Sequence, residues 1–508
     1  MIFVDLIPTF LYSLLAFIGI SALYITYQYT VGVYLRVRYY KKQGGVGHYG
    51  FGSQLYKELE DDAIKHGDSY YNILKTQKEN PGMKFFVRNV GKKPLVILTD
   101  PLLVKQFLLK AELYRKYDVE LFEGVSSRST LLSEGEEWKI SRKSIAPKFA
   151  FDNLNSAIPV IIESTLENFD QWDKESKFNH LAVGMFHDIT GEVILRHWFG
   201  TSHLKNRWQG KHTLTDLIKF FLDDYGTASS SYTFTILGHH IVNLGLQDSH
   251  RRFLKRKEEL RNYGQQLLKD AMQKGVGDHT LLSVLMKEKE NDTKFYDDEK
   301  ILNEFLDLLI AGADSISHML GFTLFYLSKH PEKLERIKEE VEREFSDLKN
   351  ISIVNINRME YTYAALKETL RLAPEGAFTI AREVMQDHCI EGLNLKSGDL
   401  VNFVSQTFHM SEEYYTNPEE YCPERWLSGG AYPNDGWRKE PYSFLTFFAG
   451  PRNCVGQQLA MIEGRILLSL FLKRYDYKVP PNYELKKVQS FSYVPLDPFN
   501  IDIKPKNQ

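Results

Sequence analysis

The apolar and polar positions of this chain alternate in three different ways, and each predicts a different kind of element. Residues 7–27 are almost entirely apolar or aromatic. That length suffices to cross a hydrocarbon core of about 30 Å, which takes roughly 20 helical residues. Pro8 stands at its start, where a helix tolerates it. Tyr24, Tyr27 and Tyr29 lie where an aromatic belt forms, and Arg36, Arg38, Lys41 and Lys42 follow, while only Asp5 precedes the span. Positive charge on this flank predicts a body on the cytosolic side. A cleaved leader fits poorly, because the segment before the span is not basic and no small-residue cleavage site stands out.

Residues 85–99 alternate, are rich in Val, Phe and Ile and are broken at Gly91, which predicts a strand pair. Helical spacing follows over residues 101–114. The stretch 149–297 alternates helical segments with polar loops, and its part from His203 to Gly245 is aromatic and poorly periodic. A long helix is predicted over 298–329, stopped by Pro331. Residues 457–475 carry apolar positions at Leu459, Met461, Ile462, Ile466, Leu467, Leu468 and Leu470, again a helix. Residues 489–504 read as strands. The expected class is α+β, mostly α with small β-sheets.

Composition narrows this picture. A chain of 508 residues ordinarily holds two to four domains. A net charge of −3 gives no general attraction to nucleic acid. The three cysteines, Cys389, Cys422 and Cys454, are too few and odd in number for a disulfide framework and suit a reducing compartment. Two basic runs stand out. One, around His250, Arg251, Arg252, Lys255, Arg256 and Lys257, reads as a solvated helix face, with a membrane-surface role as the alternative. The other, Lys139, Arg142, Lys143 and Lys148, suits either a solvated face or a dock for an acidic electron donor.

Four short patterns carry candidate chemistry. The first is Phe447-Phe448-Ala449-Gly450-Pro451-Arg452-Asn453-Cys454-Val455-Gly456. Its glycines permit a tight turn, and a thiolate there can receive backbone N–H groups and the positive end of the following helix. Cys454 therefore reads as a metal ligand, against the plainer reading of a small buried hydrophobe. The second is Trp138 and Arg142, four apart on one helix face, an indole N–H and a guanidinium suited to a carboxylate. The third is Ala311-Gly312-Ala313-Asp314-Ser315 inside the long helix. An interior Gly and an Asp in an apolar run are costly there, by about 1 kcal/mol for the Gly. Acid plus hydroxyl can pass protons, and small-residue helix packing is the alternative. The fourth is Glu368 and Arg371, an i, i+3 pair on a helix.

With these residues in hand, the chain resembles the cytochrome P450 family, the haem-thiolate monooxygenases. The motifs run in family order from Trp138 to Glu463, Ala460 among them, and the resemblance covers nearly the whole chain. It implies one haem-binding unit, residues 44–508, after an anchor and linker, residues 1–43. It implies haem b (iron protoporphyrin IX), with Cys454 as iron ligand and Trp138, Arg142, Arg382 and Arg452 at its propionates. His409 lies where relatives also approach the haem. Asp314 and Ser315 become the proton-delivering pair, with Ser315 in place of the family's Thr. Glu368, Arg371 and Arg425 become a buried network under the cysteine loop. The family's proline-rich hinge is replaced by Gly44, Gly45 and Gly47, which predicts a flexible connection. The expected activity is insertion of one oxygen atom from O2 into an apolar substrate, lipid, steroid or xenobiotic-like. No G-x-G-x-x-G unit follows a strand, so electrons are expected from a separate NADPH-dependent reductase, with cytochrome b5 as a second donor. The expected location is the endoplasmic reticulum membrane, with the catalytic body on the cytosolic face. Two alternatives stay open: a hydroperoxide isomerase or dehydratase of the same fold without a reductase, and a non-enzymatic haem carrier or sensor.

Overall fold

The helix Asp298–Lys329 forms the axis of the body, and its ends follow from local chemistry. Asp297 caps it by accepting the Lys300 N–H at 2.7 Å, and Pro331 opens the next helix, Pro331–Glu344. Its 32 residues span about 48 Å. Of its most apolar window 78% is buried inside protein, so its hydrophobicity makes a core. His187–Phe199, Glu360–Leu372 and Gln457–Arg474 pack along it. The computed structural model describes residues 2–50, 55–117, 119–202, 207–229, 231–275, 277, 280–292, 294–376, 380–490 and 492–506. Met1 and Gln508, the outer ends of the two expected units, and His203, where the poorly periodic stretch begins, lie outside the described residues.

The predicted hairpin is Phe85–Val90 against Lys93–Leu98. It sits inside a six-stranded sheet in the order Val46–Gly47, Phe85–Val90, Lys93–Leu98, Leu400–Phe403, Arg382–Val384, Tyr114–Lys116. The helix expected to reach Tyr114 stops at Leu109. Tyr114 instead pairs with Val384, because a distant strand offers it ladder partners that local spacing cannot reveal. The C-terminal stretch forms three short strands, Lys487–Gln489, Tyr493–Pro495 and Asn500–Pro505. The poorly periodic stretch contains the helix Leu214–Ser229. The basic run lies on Asp248–Lys274, where Arg252 and Arg256 meet Asp224 and Arg256 also meets Glu259.

The apolar N-terminal helix, Ile2–Tyr27, continues through a π-helical turn, Gln28–Gly32, into Val33–Lys41. None of its apolar window is buried against protein. The Val33–Lys41 segment behaves differently. Val33, Val37 and Tyr40 are buried against the first sheet. The Tyr40 hydroxyl donates to Asp399 at 2.6 Å, and Arg36 pairs with the same carboxylate at 2.6 Å. The glycines beyond it are not a flexible connection. A Cβ on Gly45 would overlap the Phe85 ring, and one on Gly47 (φ +144°) would overlap the Val87 carbonyl. These glycines let the chain lie close against the edge strand.

Candidate functional site

The cysteine loop is a set of tight turns. The Phe448 N–H donates to Leu445 O at 3.0 Å, the Asn453 N–H to Gly450 O at 3.2 Å and the Cys454 N–H to Phe447 O at 2.9 Å. Gly450 has φ +73°, and a Cβ there would lie 3.0 Å from the Leu108 carbonyl, so a side chain fits neither the turn nor the space. Cys454 is exposed, and it opens onto a cavity of about 630 Å³. Burial pushes its thiol up, and the N–H groups of Gly456 and Gln457 and the charge of Arg142 offset this only in part. The helix Gln457–Arg474 begins three residues on, its positive end toward the sulfur. Cys389 is exposed, and burial pushes the Cys422 thiol up to about 11; neither lines the cavity.

One wall of the same cavity holds Trp138, Arg142, Arg382 and Arg452, together with Lys116, which the sequence did not single out. Arg452 donates to Ser133 O at 2.9 Å, pairs with Glu134, and lays its guanidinium 3.9 Å from the centre of the Trp138 ring. Lys116 shares Glu134 at 3.3 Å. Arg142 meets Asn453 Oδ1 at 2.6 Å. Among the described residues Arg382 has no ion-pair partner, although it is buried. Burial lowers Lys116 to about 7 and Arg452 to about 10, and it lowers Arg382 as well. Asp307 also lines the cavity, but burial and Glu304 raise its carboxyl to about 8, which leaves it protonated.

Lys116 and Arg382 stand directly opposite each other in adjacent strands. Like charges so placed repel. Glu134 is shared by Arg452 and Lys116, and among the described residues Arg142 and Arg382 have no carboxylate partner, which leaves this wall short of negative charge. The donor set therefore fits a planar cofactor with carboxylates at its edge and a metal facing Cys454, as haem has.

On the central helix, Ala311, Gly312, Asp314 and Ser315 all line the cavity. Gly312 is small for a packing reason too, because a Cβ there would crowd Ile194 Cδ1 at 2.8 Å. The Ser315 hydroxyl donates to Ala311 O at 2.8 Å. Asp314 is turned to other partners: Ser492 Oγ donates to its Oδ2 at 3.0 Å, and His187 Nε2 and His318 Nε2 lie 3.0 and 3.3 Å from its Oδ1. Burial would raise its carboxyl, but the two histidines outweigh burial and hold it well below the usual range. None of these contacts joins Asp314 directly to Ser315.

Below the cavity, Glu368, Arg371 and Arg425 are fully buried together. Arg371 grips Glu368 with two bonds of 2.9 and 2.8 Å, and Arg425 Nε approaches Glu368 at 3.4 Å. The Cys422 N–H and the Trp426 indole complete the carboxylate's shell at 3.0 and 2.9 Å. Arg371 also donates to the carbonyls of His409, Pro418 and Glu420. His409 does not line the cavity. It accepts the Leu445 N–H at 3.2 Å and so links this network to the start of the cysteine loop, and Thr446 adds a bond to Leu370 O at 3.0 Å.

A mostly helical body, a cavity crossed by its longest helix, and a wall combining a thiol with buried cations define the class: a haem-binding oxidoreductase. The chain matches the family model for cytochrome P450 over residues 63–504 and belongs to that family, whose members are haem monooxygenases. Cytochrome P450 3A31 of Mesocricetus auratus is 28% identical over 404 residues, covering 76% of this chain and 77% of its own. Cytochrome P450 4c21 of Blattella germanica is 25% identical over 82% of this chain and 85% of its own length. The 11-oxo-beta-amyrin 30-oxidase of Glycyrrhiza uralensis is 25% identical, over 77% and 75%. The crystal structure of the cytochrome P450DA heme domain shares the fold, with a TM-score of 0.70 over 87% of this chain and 94% of that one at 19% identity.

Proposed function

We propose that this chain is a membrane-anchored monooxygenase in which Cys454 holds the iron of haem b, acting on an apolar small molecule. The observation that carries the reading is that the Cys454 sulfur and the under-neutralised cations Lys116, Arg142, Arg382 and Arg452 open onto one cavity. When bound, haem supplies oxygen activation, and a thiolate ligand favours cleavage of the O–O bond. The protein's part is binding, orientation and proton supply. Arg142, Arg382, Arg452 and Lys116 hold the carboxylate edge, and Trp138 fixes Arg452 by stacking under it. The N–H groups of Gly456 and Gln457 stabilise the thiolate. Ser315 offers its hydroxyl on the cavity wall, and Asp314, held ionised by His187 and His318, helps relay protons to it through water. Phe122, Phe149, Ile194, Leu308, Ile380 and Leu131 give the wall a large apolar share, which suits a lipid, steroid or similar substrate. Glu368, Arg371 and Arg425 support the cysteine loop from beneath.

Electrons come from a separate NADPH-dependent reductase, with cytochrome b5 as a second donor. Lys139 and Lys143, exposed on the helix Gly135–Ile145, offer a surface for an acidic partner. The anchor places the body on the cytosolic face of the endoplasmic reticulum. The test is the spectrum of the reduced, carbon monoxide-bound protein. The long-wavelength band of a thiolate-ligated haem is expected, lost in Cys454→Ala and kept in Cys389→Ser and Cys422→Ser. Retention of that band in Cys454→Ala overturns the assignment.

A further inference from the structure

Asp314 and His318 are four residues apart on the central helix and so share one face. His187, the first residue of the helix His187–Phe199, comes to the same place from the neighbouring element. The donor atoms of the three lie within 4.8 Å of one another. Both imidazole Nε2 atoms converge on one oxygen, Asp314 Oδ1, at 3.0 Å from His187 and 3.3 Å from His318. In a tetrahedral zinc site, with bonds of about 2.0 Å, neighbouring donors stand ~3.3 Å apart.

His187 Nε2 is buried beside the carboxylate, 3.0 Å from Oδ1, and short of good hydrogen-bond alignment with it. The surrounding groups are those of a metal site. His318 Nδ1 lies 3.1 Å from Glu375 Oε2, which fixes the ring so that Nε2 faces Asp314. Ser492 occupies Asp314 Oδ2 and leaves Oδ1 for the centre. Metal-bound histidines characteristically give their other nitrogen to a carboxylate in this way. Asp314, Glu375 and Ser492 line the cavity while His187 and His318 do not, so the cluster lies at the cavity's edge.

We propose that His187, Asp314 and His318 form a binding site for zinc at the cavity's edge, with Glu375 orienting His318 from outside. Two imidazoles and one carboxylate suit a divalent ion of this kind. Zinc there takes the Asp314 oxygen. On the proposed role of Asp314 as proton supplier, it throttles turnover, so the site is inhibitory.

The experiment uses the full-length, haem-loaded protein in detergent, stripped with a chelator and titrated with zinc sulfate. Bound zinc per haem is read by equilibrium dialysis, and its ligands by X-ray absorption at the zinc edge. One zinc per haem is expected, with nitrogen and oxygen neighbours, imidazole scattering and no sulfur. His187→Gln and His318→Gln lose the site, Glu375→Gln weakens it roughly 10–100-fold, and Cys389→Ser leaves it intact. Sulfur among the neighbours, no stoichiometric zinc, or equal binding in His318→Gln overturns the site. The absorption measurement on the unsubstituted protein decides the matter should a variant fail to load haem. Binding is read without turnover, so it stands or falls separately from Cys454 ligation. Stoichiometric zinc with unchanged turnover overturns the inhibitory role.

Discussion

Both ring nitrogens of His409 are committed. Its Nδ1–H donates to the carbonyl of Arg371 at 3.0 Å, and its Nε2 accepts from Leu445. Only the neutral ring can do both. Burial, with the charge of Arg371, lowers its pKa to about 3 from an ordinary 6.5. The folded state therefore resists a proton that the unfolded chain takes up. The stability this ring contributes is complete above pH 6.5 and drains away as pH falls toward 3. At pH 5 the loss is about 2 kcal/mol, at 1.36 kcal/mol per unit. Denaturant midpoints of the haem-loaded protein at pH 7.5 and pH 5 measure it, and the gap between them is expected to shrink in His409→Gln. Sequence reading placed this histidine beside the haem because its position in the chain suggested it; nothing local discloses that both nitrogens are spent on backbone. Lys116, His187 and Glu375 were invisible for a related reason. Each lies in an unremarkable local pattern and gains its meaning from a residue far away in sequence. The turns around Cys454, by contrast, were readable because the glycines that shape them are its own neighbours.

At the level of elements, what local chemistry decides was legible. Asp297 and Pro331 delimit the central helix, and the break at Gly91 marks the hairpin. What distant partners decide was not: Tyr114 joins Val384, and Gly45 and Gly47 press against Phe85 and Val87 instead of forming a hinge. The same packing makes Val33–Lys41 part of the body. Asp399 is buried, and burial raises its carboxyl to about 6 even with Tyr40 and Arg36 beside it. A chain lacking residues 1–43 leaves that carboxylate without both partners and also forfeits the apolar contacts of Val33, Val37 and Tyr40. Leaving a buried group unpaired costs about 1–3 kcal/mol before packing is counted. Removal of residues 1–27 alone is expected to preserve haem content and melting temperature. Removal of 1–43 lowers the melting temperature, and Asp399→Asn restores part of the loss in the shorter chain. Equal melting of the two truncated chains contradicts this account.

Across the whole molecule, the cavity wall joins the first sheet, the helix Gly135–Ile145 and the cysteine loop through charges that repel one another. The fold holds these pieces together best when a dianionic edge lies between them. Removing haem is therefore expected to weaken the body as a unit, with sheet and loop loosening together. Sulfate should recover part of the haem-free melting temperature beyond what chloride of equal ionic strength does. That excess should vanish in the Lys116→Gln, Arg382→Gln double variant, which relieves the repulsion directly. Differential scanning calorimetry of the haem-free proteins reads both effects, and an undiminished sulfate response in the double variant counts against the charge argument.

The continuity of the N-terminal helix has a mechanical consequence. Residues 2–41 run as one helical rod through the turn at Gln28–Gly32, and Tyr40 and Arg36 bolt its inner end to Asp399. If the rod is seated in a membrane, as proposed, the body would be mounted on a spindle, turning about the rod more easily than it tips away from it. Meetings with other membrane-bound proteins then become a search in a plane over a single angle.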